Sequence, residues 1–272
     1  MGVAPVNAKK KPTSCAMTSA LRCFKVLELF AEEPFERSAS DIAEVMLIPK
    51  ATAHRLCVTL VESGFVRRVP ASNRYRLTPR SLWVGSGYLR HSAIYRAAYF
   101  PMQTLSKQIP GTVQLGVLSE GTVLFIHSVG YSESINAFAD VGLQRALHAT
   151  AAGKLFLADM PLNKVEQLMS QEAQQYTGRT IVTFAKMKKE LLQIAAKGYA
   201  VNDEELMLGF YYIAAPIYDA SGATVATISI TIRADQGHSG EEAAYAAMLC
   251  ETAQKTSIPL GYSPNSNRAG NK

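Results

Sequence analysis

Pro49 and Gly64 bracket the stretch that most constrains the fold of this chain. Proline has no N–H and a fixed φ, so it suits the start of a helix; glycine takes the left-handed turn that ends one. Between them, Ala53, Leu56, Cys57, Leu60 and Val61 recur at helical spacing, which predicts a helix over about Lys50 to Ser63. Thr52, Arg55 and Thr59 face away from that stripe. Upstream, Thr18 or Ser19 can cap a helix carrying Leu21, Phe24, Leu27, Leu29 and Phe30, which Glu32-Glu33-Pro34 stops. Ser38 or Ser40 then caps a short second helix with Ile42, Ala43, Val45 and Met46 as its apolar face, and Leu47-Ile48-Pro49 makes a tight turn. Downstream, Phe65, Val66 and Val69 lead into Pro70-Ala71-Ser72-Asn73, and Tyr75 and Leu77 return as a second strand, with arginines at 67, 68, 74 and 76. Three short helices followed by a basic hairpin is a winged helix-turn-helix. The third helix is shaped for a major groove and the wing for phosphates.

The charge lies where that reading needs it. Residues 1–90 hold 14 Lys and Arg against 7 Asp and Glu; the remaining residues hold 14 against 15. A basic third joined to a neutral remainder points to a nucleic-acid module attached to a second domain. With 48% hydrophobic and 18% charged residues the chain is expected to be globular. No apolar run is long enough for a membrane helix, and the N-terminus does not read as a signal peptide, so a cytoplasmic protein with no membrane partner is expected. Cys15, Cys23, Cys57 and Cys250 show no C-x-x-C spacing; they are read as buried or incidental thiols, with no metal and no cofactor.

The chain is expected to divide into a flexible basic arm (1–17), the winged domain (18–80), a linker helix (81–93), a second domain (94–258) and a flexible tail (259–272). The linker carries Leu82, Trp83, Val84, Tyr88 and Leu89, an apolar set that fits a partner helix. In the second domain a helix is expected over 95–109 and strands over Thr112–Ser119 and Thr122–Val129, with Glu120-Gly121 as their turn. HATAAGK opens another helix, further helices fall at 163–169, 186–197 and 240–255, and strands at 209–217 and 224–232 meet at Asp219-Ala220-Ser221-Gly222. Strands joined by tight turns argue for a mainly antiparallel sheet flanked by helices, an α+β domain.

Enzyme motifs fail on spacing. A phosphate-binding loop ending at Gly153-Lys154 would need glycine at His148 and a hydroxyl at Leu155. Gly130-Tyr131-Ser132-Glu133-Ser134 lacks the second glycine of a nucleophile elbow. The histidines form no metal pair, and Asp203-Glu204-Glu205 reads as a solvated or capping loop. The alternative kept open is a small-molecule-binding enzyme whose N-terminal domain serves assembly.

From about Met17 to Ile258 the chain resembles the IclR family of bacterial transcription regulators. Three blocks carry the likeness: SASDIAEVMLIPKATAHRLCVTLVESGFVRR ending in NRYRLTP, then LHATAAGKLFLADMP, then GYAVNDEELMLGFYYIAAPIYDASGATVATISI. The resemblance implies a winged helix-turn-helix joined by a helix to a GAF-like effector-binding domain. It also implies a double-stranded DNA operator, a small organic acid effector, and a homodimer or dimer of dimers. Carried over by position, DNA contacts fall on Lys50, Thr52, His54, Arg55, Arg67, Arg68 and Arg74. Effector contacts fall on the backbone at Ala151 and Ala152, and on Asn202 or Asp203, Phe210, Tyr212, Ser229 and Thr231. A period of two puts Phe210 with Tyr212, and Ser229 with Thr231, each pair on one face. Phe210 and Tyr212 replace the aliphatic lining of members that take the smallest acids, which leans the expected effector towards an aromatic carboxylate from a catabolic pathway.

Overall fold

The computed structural model describes residues 17–130 and 141–263, and the side chain of residue 172 is left aside. The expected arm up to residue 16, the motif residues 131–134 and the tail from residue 264 lie outside the described residues. The chain divides into two compact units, Met1–His91 and Ser92–Lys272.

In the first unit, α1 (Thr18–Leu29), α2 (Ala39–Met46) and α3 (Lys50–Glu62) precede a hairpin of β1 (Val66–Val69) and β2 (Arg74–Leu77), and α4 (Pro79–His91) follows. Ser38 supplies the start signal of α2: its Oγ accepts the Asp41 N–H at 3.1 Å while Asp41 Oδ2 accepts the Ser38 N–H at 2.9 Å. Those bonds, led by the one from the Ser38 backbone, hold the Asp41 carboxyl below its ordinary range. Leu47 closes the helix in the left-handed region at φ 53°. Val26, Phe30, Ile42, Ala53, Leu56, Cys57, Leu60, Val66 and Tyr75 form the core. Burial pushes the Cys57 thiol up to about 11, so it acts as an inert apolar filler.

Three local expectations need correction. Neither Thr18 nor Ser19 caps α1; Met17 occupies that position without a side-chain bond. Val45 is exposed because α2 buries the stripe through Ala39, Ile42, Ala43 and Met46, from which residue 45 is turned away. Val61 is exposed for the same reason, lying a quarter turn off the stripe 53, 56, 57 and 60.

The second unit begins with α5 (Ala93–Leu105), capped by Ser92, whose Oγ accepts the Tyr95 N–H at 3.1 Å. Strands β3 (Thr112–Ser119), β4 (Thr122–Val129), β5 (Gln144–Ala146), β6 (Ala200–Asp203), β7 (Phe210–Tyr218) and β8 (Thr224–Arg233) make one sheet in the order β5-β4-β3-β8-β7-β6. Every neighbouring pair is antiparallel. Helices α6 (Ala151–Ala158), α7 (Leu162–Glu172), α8 (Phe184–Lys197), α9 (Ala234–Gly237) and α10 (Glu242–Ser257) complete the α+β unit. The described chain runs on as a 3-10 turn at Ile258–Leu260, and the Tyr262 ring lies 5.0 Å from that of Tyr218.

The two faces of the sheet differ in chemistry, and β8 shows why. In Thr227-Ile228-Ser229-Ile230-Thr231-Ile232 isoleucines alternate with hydroxyl residues, yet all six are buried. Ile230 lies in register with Val113 and Ile213, on the face against which α5 and α10 pack. Ser229 lies in register with Gln114 and Ala214, and Thr231 with Thr112 and Tyr212, on the face covered by α6 and α8. A half-buried strand would send its polar face to water; here both faces are enclosed.

Candidate DNA-reading surface and effector site

On the first unit, the buried stripe of α3 fixes its rotation, so Lys50, His54 and Arg55 stand on the exposed side and Thr52 is half-buried. Arg67 and Arg68 are exposed on β1, with Arg67 opposite Arg76 and Arg68 opposite Tyr75. Arg68 Nη2 donates to Asn73 Oδ1 within the hairpin turn, where Asn73 takes φ 57°. Arg74 is partly engaged in the fold: its Nη1 donates to Glu36 O at 2.9 Å and lies 3.2 Å from Asp41 Oδ2. Arg76 pairs with Glu36 at 3.3 Å.

Sequence reasoning passed over Arg37. This guanidinium is buried and donates to Leu29 O at 2.9 Å and Glu33 O at 3.1 Å. Its backbone exchanges bonds with Tyr75, through Arg37 N–H to Tyr75 O at 3.1 Å and Tyr75 N–H to Arg37 O at 2.8 Å. The wing is thereby fastened to the segment between α1 and α2. A lone arginine before a serine cap carries no sequence signal for that role.

On the second unit, α6 begins inside the protein. Thr150 caps it, accepting the Gly153 N–H at 3.0 Å, and Ala151 and Ala152 are buried at its first turn. The first N–H groups of a helix have no intrahelical acceptor, and together with the dipole they favour an anion. Gly153 is required by close approach: a side-chain carbon there would overlap the Leu147 backbone. Lys154 does not face this helix start. It is fully buried, donating to Glu190 Oε1 at 3.1 Å, Val201 O at 3.0 Å and Glu205 Oε1 at 2.5 Å. The acidic loop is therefore not solvated at Glu205, whose carboxyl is raised above the ordinary range by burial, with Lys154 pulling the other way.

The expected effector residues divide into three settings. Ser229, Thr231 and Tyr212 share the α6-covered face, and Thr231 Oγ1 donates to Gln114 Oε1 at 2.9 Å. Asn202 is opposite Tyr212 on the same face, but its amide is engaged in the scaffold. Its Nδ2 donates to Ala149 O at 2.5 Å, and its Oδ1 accepts the Glu205 N–H at 3.0 Å. Asp203 points elsewhere, to Arg179 Nη1 at 2.8 Å and His238 Nε2 at 2.9 Å on the surface. Phe210 is half-buried opposite Arg233 at the end of β7. Thr112, Gln114 and Ser128, on the strands β3 and β4, belong to the enclosed polar face too; the alternation of β3 could have shown it.

A winged helix-turn-helix followed in one chain by an α+β domain with an enclosed polar face is the build of a transcription regulator that couples DNA to a small molecule. The comparisons with known proteins give the family. The model described as "IclR helix-turn-helix domain" matches residues 19–70, and that described as "Bacterial transcriptional regulator IclR C-terminal" matches 86–258. The chain belongs to the IclR family of bacterial transcriptional regulators. The HTH-type transcriptional regulator KdgR of Escherichia coli is 29% identical over 264 residues, covering 96% of this chain and 98% of that protein. The regulator BhcR of Paracoccus denitrificans is 31% identical over 211 residues, 77% of this chain and 75% of the relative. Among solved structures, the Thermotoga maritima IclR superposes with a TM-score of 0.70 at 30% identity, covering 91% of this chain and all of that one. An IclR homolog of Microbacterium hydrocarbonoxydans, complexed with 4-hydroxybenzoate, shares the fold with a TM-score of 0.76 at 24% identity, over 90% of this chain and all of the other. These relatives are named as transcription regulators, and the enzyme reading gives way to them.

Proposed function

We propose that this chain is a sequence-specific DNA-binding regulator in which α3 reads an operator and α6 receives a small carboxylate effector. Lys50, Thr52, His54 and Arg55 stand at the N-terminal part of α3, where base edges are met, and Arg67 and Arg68 grip phosphates from the wing. Arg74 contributes there through the part of its guanidinium that Asp41 leaves exposed. The observation that carries the reading is the exposed basic face of α3, held in one rotation by the buried stripe Ala53, Leu56, Cys57 and Leu60.

The effector's carboxylate sits at the Ala151 and Ala152 N–H groups, and its body lies along Tyr212, Ser229 and Thr231. Asn202 acts by setting the position of the α6 start, and Phe210 closes the rim, while Asp203 stays with Arg179 and His238 on the surface. Tyr212 on the enclosed face favours a flat ligand, an aromatic carboxylate from a catabolic pathway, and the 4-hydroxybenzoate bound by the Microbacterium homolog fits that lean. A homodimer, or a dimer of dimers, forms through α4, which offers Leu82, Trp83, Val84 and Tyr88 to solvent. The winged domain spans 18–80, the linker 81–93 and the GAF-like effector domain 94–258, and the protein works in the cytoplasm. Fluorescence anisotropy on the DNA upstream of the chain's own coding sequence tests the reading. Sequence-selective binding that an aromatic carboxylate shifts supports it, and binding indifferent to sequence refutes it.

A further inference from the structure

Leu47 combines two properties that rarely meet in one apolar residue. It stands in the left-handed region at φ 53° and ψ 47°, and it is 92% exposed, the highest value among the large hydrophobic side chains described. Four non-glycine residues of the described chain take a positive φ: Leu47, Asn73, Glu120 and Glu204. The other three are polar, and two of them use the side chain within their own turn. Asn73 Oδ1 accepts from Arg68 Nη2, and Glu204 Oε1 accepts the Gly209 N–H at 2.6 Å. Leu47 has no polar atom to use and buries little of its surface.

The turn imposes that conformation. The Leu47 N–H donates to Glu44 O at 3.2 Å, and the Ile48 N–H reaches back to Ala43 O at 3.0 Å, which closes α2. Ile48 then packs against the core of the domain. In this region the Cβ of an L-residue crowds its own backbone, so glycine or asparagine usually closes such a turn. Exposure alone would mean little, since single apolar residues stand on most surfaces. A strained backbone beneath a side chain that the fold leaves uncovered points to a contact outside the chain.

The neighbours define that contact. Only Ile48 and Pro49 separate Leu47 from Lys50, the first residue of α3. Leu47 therefore flanks the end of α3 at which Lys50, His54 and Arg55 are exposed. Phosphates bordering a major groove call for cations, and most base-edge atoms call for hydrogen-bonding groups. The apolar group on a major-groove edge is the thymine C5-methyl, which a leucine matches.

We infer that Leu47 is a base-reading residue that packs on a thymine methyl at the margin of the sequence α3 reads. This rests on the operator reading above and adds the turn before α3 to its surface. The test is fluorescence anisotropy of the full chain on its upstream DNA, with thymines replaced one at a time by deoxyuridine, which lacks only the methyl group. For the unmodified protein one such replacement should weaken binding about fourfold, the effect of one buried methyl group. Leu47→Gly should weaken binding to the thymine duplex by a similar factor and be indifferent to that same replacement, because both changes remove one contact. Its slope of log affinity against log salt should be unaltered, as no phosphate contact is lost. Its melting temperature should be equal or higher, since glycine relieves the turn. Leu47→Met, which keeps the apolar reach, should retain the thymine preference. Should Leu47→Gly fail to fold, Leu47→Asn takes its place, asparagine being tolerated in this region too. Unchanged affinity, a loss shared equally by the thymine and deoxyuridine duplexes, or a lower melting temperature overturns the inference and leaves operator reading by α3 standing. Absence of sequence-selective binding by the unmodified protein overturns both.

Discussion

Lys154 Nζ and Glu205 Oε1 lie 2.5 Å apart in the interior, joining the first turn of α6 to the loop after β6 across 51 positions of sequence. Glu190 Oε1 and Val201 O take the rest of the ammonium's hydrogen bonds. The Gly-Lys pair that resembles the end of a phosphate loop is therefore a fastening. The glycine admits Leu147 beside the helix, and the lysine ties the helix to α8 and β6.

Removing the lysine should show the strength of that fastening. Lys154→Met leaves the Glu205 carboxylate buried without its counter-ion, a change that costs about 3–5 kcal/mol. Urea denaturation should show that loss, and Lys154→Met combined with Glu205→Leu should recover much of it, because the stranded charge is gone.

The same variant should depend on pH in a defined direction. Burial raises the folded-state value of Glu205 above the ordinary carboxylate value. A raised value means that the folded state holds the proton more tightly, so the group's stabilising contribution is full below the unfolded value and is lost as pH rises through the folded one. Lys154 moderates this, and Lys154→Met removes the moderation. The gap in stability between the two proteins should widen as pH rises above the ordinary carboxylate range, read by denaturation at each pH.

Gly153→Ala should lower the melting temperature, since the new methyl meets the Leu147 backbone and not a flexible side chain. Overpacking of this kind costs about 1–3 kcal/mol. Because the collision lies one residue after Ala152, effector affinity should fall as well, measured by calorimetry with whichever acid binds.

The two kinds of basic contact should separate on DNA. Arg55→Ala should weaken specific binding by about 1–3 kcal/mol and relax preference at one base position. Arg67→Ala should weaken binding to all sequences and reduce the slope of log affinity against log salt by about one. Anisotropy titrations at several salt concentrations distinguish them.

Much of this architecture is legible from residue order because the signals are local. Pro49, Gly64 and the stripe between them mark α3, and Glu120-Gly121 fixes β3 and β4 to the limits the structure shows. β5 and β6 escape notice because strands of three and four residues are too short to display a period. Asn202 draws attention as a polar residue near the site, and only the fold reveals that its amide joins Ala149 to Glu205. Glu205 looks solvated beside Asp203 and Glu204 until its partner, remote in sequence, is brought to it. Ser229 and Thr231 show by their period of two that they share one face of a strand; that this face is enclosed depends on α6 and α8 covering it.

In the proposed regulator, operator binding on α3 is coupled to an acid at α6. Anisotropy of the upstream DNA fragment, titrated with protein in the absence and presence of a saturating acid that raises the protein's melting temperature, tests it most directly. Coupling gives sequence-selective binding whose midpoint moves at least about fivefold with the acid, the lower end of ordinary coupling between sites. Ser229→Ala should reduce that shift and leave the affinity for DNA alone unchanged. A midpoint that stays fixed while the acid is bound would contradict it.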